Sequence, residues 1–220
     1  MARLGNIQIQ NTTRQKLLHF GTKIVNVGAG DFQAHGERSS TAQATMTDVE
    51  QRMFDSAGGH RDVQATGAEM YYGHDHWHVR NLEVYILTRL SDAGEPVAKG
   101  NKQGFCFYDN VNWGSSQPAF YGTDTSPYGV GCSNGQPGTL DVTVWLSRGW
   151  GDNYSWNTVG RSVTITGLPE GTYRLTATAD SDNWFVESAN ANNDTWVDIR
   201  IAVNTVNVLG YGPSSPQVSG

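Results

Sequence analysis

Three of the chain's six histidines fall within five residues, in His74-Asp75-His76-Trp77-His78. Neutral imidazoles at that density suit copper or zinc, whereas carboxylate-rich sets suit calcium or magnesium. On a helix, residues i and i+2 lie about 200° apart, so the three rings cannot share one ion from a single face. On a strand they point the same way. Their outer α-carbons are then about 13–14 Å apart at ~3.4 Å per residue, and the rings converge on one ion only where the strand bends or bulges. A bend at the cluster is therefore an expectation of the metal reading; a solvated, His-rich strand face needs none. A zinc ion held by three imidazoles and a water would point to hydrolysis, and copper to redox chemistry.

Elements able to position such a cluster read as strands. Lys23–Val27, Glu83–Leu87, Gly104–Tyr108 and Thr195–Val203 alternate or cluster β-branched and aromatic residues, with Gly or Pro near most of them. Ser162–Thr166 and Thr172–Thr178 flank Gly167-Leu168-Pro169-Glu170-Gly171, which predicts either a hairpin or a corner between sheets. Thr47–Phe54 is the one segment with helix-start signals, and helix and strand-or-turn readings weigh about equally there. Residues 109–141 form a long polar stretch, and loops of that length in compact domains are usually functional or disordered. The expected fold is all-β: a single-domain β-sandwich over residues 1–209 with long polar loops and little helix, and a flexible tail over 210–220.

Composition bounds the partners. With 220 residues the chain has the length of one domain and room for a core. Lys and Arg number 15 against 21 Asp and Glu, for a formal charge of −6, so no basic surface is available for nucleic acid or an anionic bilayer. No apolar run is long enough to span a membrane, and Met1-Ala2-Arg3-Leu4-Gly5-Asn6 lacks the apolar core of a secretory signal, so a soluble chain without an export signal is expected. Cys106 and Cys132 are either two buried thiols or a disulfide, which in an oxidising setting would stabilise by about 3–4 kcal/mol for a ring of that length.

The ordered set His74-Asp75-His76-Trp77-His78, Lys102-Gln103-Gly104-Phe105-Cys106 and Gly149-Trp150-Gly151-Asp152-Asn153-Tyr154 resembles the catalytic domain of the lysyl oxidase family, particularly its microbial members. Ile165–Tyr173 and Glu187–Asn193 are similar to later landmarks of that family, and Ile24–Gly28 and Gly67-Ala68 to earlier ones, so the resemblance spans roughly residues 5–203. A competing likeness, His76-x-His78 with Glu83 to the cupin metal core, lacks the flanking glycines, where Met70 and Leu90 stand.

The lysyl oxidase resemblance implies copper held by His74, His76 and His78, and a self-derived lysine tyrosylquinone made from Lys102 and Tyr154. A phenol is the group that oxidises to a quinone, and an unprotonated amine is the group that adds to it, so Lys102 is expected where its pKa is lowered. The implied reaction converts a primary amine, such as peptidyl lysine on a protein partner, to an aldehyde, with molecular oxygen consumed and hydrogen peroxide and ammonia released. Asp152 is the candidate base that removes the proton from the carbon next to nitrogen. Cys106 and Cys132 match a family disulfide. Glu187, Asn192 and Asn193 match a calcium-binding segment, but Ala189 and Asn6 replace expected Asp residues, which removes charge a hard cation favours. Arg161 stands near the quinone segment where the family usually has Gln. The localisation implied is extracellular or on a particle surface. The alternative is a non-catalytic metal-binding structural or adhesion module of the same fold, assembled into a virion or cell-surface particle.

Overall fold

A computed structural model of the chain describes residues 2–91, 94–101, 104–120, 131–158 and 160–212. Among these the strands in chain order are β1 (Ala2–Asn11), β2 (Lys16–Val25), β3 (Phe32–Glu37), β4 (Thr45–Met46), β5 (Asp48–Phe54), β6 (His60–Gln64), β7 (Met70–Gly73), β8 (His76–Arg80), β9 (Glu83–Arg89), β10 (Pro96–Asn101), β11 (Gly104–Phe105), β12 (Val111–Asn112), β13 (Asp141–Leu146), β14 (Trp150–Tyr154), β15 (Ser162–Thr164), β16 (Gly171–Ala179), β17 (Asp194–Ile201) and β18 (Val206–Gly212). One short 3-10 turn, Asn190–Asn192, is the helical element among the described residues. The fold is all-β, as the composition predicts.

Strands β1-β2-β14-β12, with β15 also on β2, make one sheet and β10-β9-β16-β17-β18 a second; β11-β8-β7-β4 and β13-β3-β5-β6 make two smaller ones, all antiparallel. Alternation decides what each strand buries. In β16, Tyr173, Leu175, Ala177 and Ala179 turn inward; in β17, Thr195, Val197, Ile199 and Ile201 do. Against them pack Leu18 and Phe20 of β2 and Val163 of β15, so the two larger sheets face each other as a sandwich. Each such side chain contributes roughly 1.5–3 kcal/mol when fully buried. A second core, with Met46, Met70, Trp77, Val79, Phe105 and Leu146, joins the smaller sheets and carries the candidate site.

Several local expectations resolve here. Thr47–Phe54 is strand: Asp48–Phe54 pairs with β3 on one side and β6 on the other, which an eight-residue helix could not match in backbone bonding. The Pro/Gly segment after Ser162 is a corner, since β15 pairs with β2 while β16 belongs to the facing sheet. Pairing with β17 carries β18 to Gly212, three residues into the segment read as a tail; 213–220 lie outside the described residues. Within 109–141, Val111–Asn112 pairs with β14, Cys132 is bonded to Cys106, and 121–130 lie outside the described residues. No helix is long and apolar enough to cross a membrane among the described residues.

Candidate functional site

The histidine cluster is a hairpin. Gly73 of β7 pairs with His76 of β8, leaving His74 and Asp75 as a two-residue turn with φ of 54° and 67°. Positive φ at both positions matches the right-handed twist of the flanking strands, and His and Asp are among the few side chains that tolerate it. The bend that a shared ion demands is thus a chain reversal: His74 leaves the strand line while His76 and His78 stay on one face of β8. Ring centroids of His76 and His78 are 4.2 Å apart, and those of His74 and His78 6.4 Å. His78 is buried, His76 partly buried and His74 exposed. His76 Nδ1 lies 2.8 Å from the His74 carbonyl; donating there leaves its Nε2 lone pair for a metal. Among the described residues no three His, Cys, Asp or Glu side chains converge as a ligand group.

Two further residues hold His78. Tyr71 pairs with it across the hairpin, its ring stacked at 5.2 Å and 20° between planes, and Arg80 lies 4.7 Å over the Tyr71 ring. Gly104 closes the other side. A Cβ there would sit 2.5 Å from His78 Cβ and 2.7 Å from the Tyr71 ring, so only glycine lets β11 approach β8 at this point.

Tyr154 and Asp152 come from β14, where period-two geometry puts them on one face opposite Thr22 and Ile24 of β2. Asp152 is 2% exposed, and its Oδ1 accepts from Asn110 Nδ2 at 2.7 Å. Asn110 in turn accepts from the Asn153 backbone N–H at 2.8 Å, which locks the strand's approach. Tyr154 Oη donates to the Cys106 carbonyl at 2.9 Å, and the Asp152 carboxylate is near enough for its charge to act on the phenol. Burial foremost, and then the Asp152 charge, hold the Tyr154 phenol well above the ordinary value of 10.0; the Arg161 guanidinium acts in the opposite sense.

The disulfide Cys106–Cys132, with Cα atoms 5.9 Å apart, joins these two groups of residues. Cys132 accepts from the Trp77 N–H at 2.9 Å, between His76 and His78, and Gly135 donates to the Asp75 carbonyl at 2.7 Å. Cys106 accepts from Tyr154, and Phe105, paired with Val79 of β8, packs edge-on to the Tyr154 ring at 5.2 Å. The hairpin and the phenol therefore share one clasp. Lys102 lies outside the described residues; its flanks are Asn101, paired with Val84, and Gly104, paired with Arg80.

Glu187, Asn192 and Asn193 sit elsewhere, beside a cavity of about 300 Å³ that Asp31 and Asp180 also border. Asn193 Nδ2 donates to Glu187 Oε1 at 2.6 Å, and Asp180 accepts the Trp184 and Phe185 N–H groups at 3.0 Å each. One carboxylate and two amides from the three matched residues fit a calcium ion poorly, because that ion takes about six to eight oxygens with strong charge preference. Asn110 and Tyr71 carry no sequence signal of a site role, and Gly104 stands out only within the Lys102–Cys106 motif. Tyr71 faces His78 only through the reversal at His74-Asp75, whose residues lack the usual hairpin signature. The chain matches no protein-family model and no curated protein.

Proposed function

We propose that the protein is a copper-dependent quinone amine oxidase of the lysyl oxidase type, acting on a primary amine such as peptidyl lysine. The observation that supports it most is the clasp: a partly buried phenol held on the Cys106 carbonyl beside the buried Asp152, tied through the Cys106–Cys132 disulfide to a hairpin of three imidazoles. In this reading His74, His76 and His78 hold copper, which when bound supplies the one-electron path to oxygen that phenol oxidation requires. Tyr154 is the phenol and Lys102 the amine that adds to it. Asp152 accepts the phenol proton, and afterwards is the carboxylate that holds the proton drawn from the substrate carbon next to nitrogen. Asn110 keeps that carboxylate aimed, and Phe105, edge-on to the phenol ring, helps keep water off it. A structural disulfide needs an oxidising compartment, which supports an extracellular or particle-surface location.

The test is peptide mapping after copper loading in air. The expected result is one crosslinked species containing Lys102 and Tyr154 that reacts with phenylhydrazine, absent from Y154F, with copper affinity reduced about 100-fold or more in H76A/H78A. An unmodified mass with metal bound overturns the oxidase reading. It would favour the second one, a non-catalytic module for assembly, which the exposed apolar residues of β18, Val208, Leu209 and Tyr211, support.

A further inference from the structure

Arg161 is fully buried, immediately before β15. Its Nη1 donates to Tyr85 Oη at 2.8 Å; Tyr85 donates to Glu83 Oε2 at 2.6 Å, and Thr22 Oγ1 donates to Glu83 Oε1 at 2.7 Å. That chain anchors one edge of the guanidinium. Its plane meets the candidate phenol: Cζ lies 4.3 Å from the Tyr154 ring centroid and 5.3 Å from that of Phe105. Nε and Nη2 have no hydrogen-bond partner among the described residues. A guanidinium held so deeply with Nε and Nη2 unspent is costly, and its bond to Tyr85 in the Glu83 network uses Nη1 alone. What it does supply is a positive charge over one ring, in a medium where charge acts strongly.

We propose that Arg161 is a positioning residue for Tyr154, laid over its ring to favour transfer of the phenol proton to Asp152. In that step the Tyr154 O–H bond breaks, an O–H bond forms on the Asp152 carboxylate, and the negative charge moves from the carboxylate to the ring beneath the cation; no electrons are exchanged. The ionised phenol is the form an oxidant takes an electron from most readily, so this inference rests on the oxidase reading for its purpose but not for its test. The charged and titratable groups acting on Tyr154 are Asp152 from its own strand and Arg161 from the β15 turn; Tyr108 also feels the Asp152 charge, and Glu83 and Tyr85 of β9 bear on Tyr154 through Arg161.

The experiment uses the metal-free full chain with fluorotyrosine in place of tyrosine, followed by 19F NMR against pH, with Tyr154 assigned from Y154F. In R161Q the Tyr154 midpoint is expected to rise by at least one pH unit, a tenfold fall in its ionisation constant, with R161K recovering part of the change and Tyr211 unmoved. An unchanged midpoint in folded R161Q overturns the proposal. Should R161Q not fold, unsubstituted protein decides: the Arg161 Nε resonance is expected to shift with the Tyr154 midpoint and to lose that shift in Y154F, and an Arg161 signal indifferent to Tyr154 overturns it equally. Neither readout needs copper, so failure of the Lys102–Tyr154 crosslink and failure of this inference are separate results.

Discussion

A tyrosine hydroxyl is an ordinary group until its surroundings are counted. Tyr154 and Tyr85 are both held well above 10.0, in each case first by burial and then by a neighbouring carboxylate, Asp152 or Glu83. The linkage has a definite sign. Above pH 10 the unfolded chain has lost these protons and the folded chain keeps them, so the stability they contribute is complete below 10 and is lost as pH rises toward the folded values. Urea midpoints are therefore expected to fall progressively above pH 10, and to fall less steeply in Y154F; parallel curves for the two proteins would contradict the assignment. None of this is legible from residue order. Asp152 and Tyr154 share one strand face only because the Gly-rich segment pairs as β14 with β2, and Asn110 and Arg161 reach them from 42 residues before Asp152 and from a turn whose buried charge no local pattern announces.

Hairpins and short strands carry the site's geometry. The two-residue turn His74-Asp75 converts three histidines in a line into two on a strand and one folded back, and β11 closes on β8 only because residue 104 has no side chain. G104A is expected to destabilise by about 1–3 kcal/mol, since the nearest obstacle is His78 Cβ, which cannot swing aside without the backbone. Urea denaturation reads the stability, and copper titration of the same variant is expected to show weakened binding; a G104A protein with unaltered affinity would mean that β11 does not set the His78 position. The sequence indicated a strand with a necessary bend. It did not indicate a reversal, because a two-residue turn of His and Asp lacks the Asn-Gly or Asp-Gly signature of such hairpins.

Across the whole molecule, one covalent bond joins what the sheets keep apart. The Cys106–Cys132 ring has a sequence separation of 26, and reduction or C106S/C132S is expected to cost about 3–4 kcal/mol by the chain-entropy argument. Chemical denaturation with and without reductant measures that cost. Copper affinity is expected to fall with it, because Cys132 is what receives the Trp77 N–H between two of the imidazoles; a reduced protein that binds copper unchanged would show the hairpin to be self-sufficient. Residue order settles the all-β class, the net acidic balance, the density of imidazoles and the presence of just two cysteines, because each follows from side-chain type or from a period of two along a single strand. Which groups meet is a different matter. That Tyr154 lies on the Cys106 carbonyl, that a disulfide clasps it to the hairpin, and that a buried cation covers its ring follow from pairings between strands far apart in the chain, and those are decided by how two sheets bury their inner faces together.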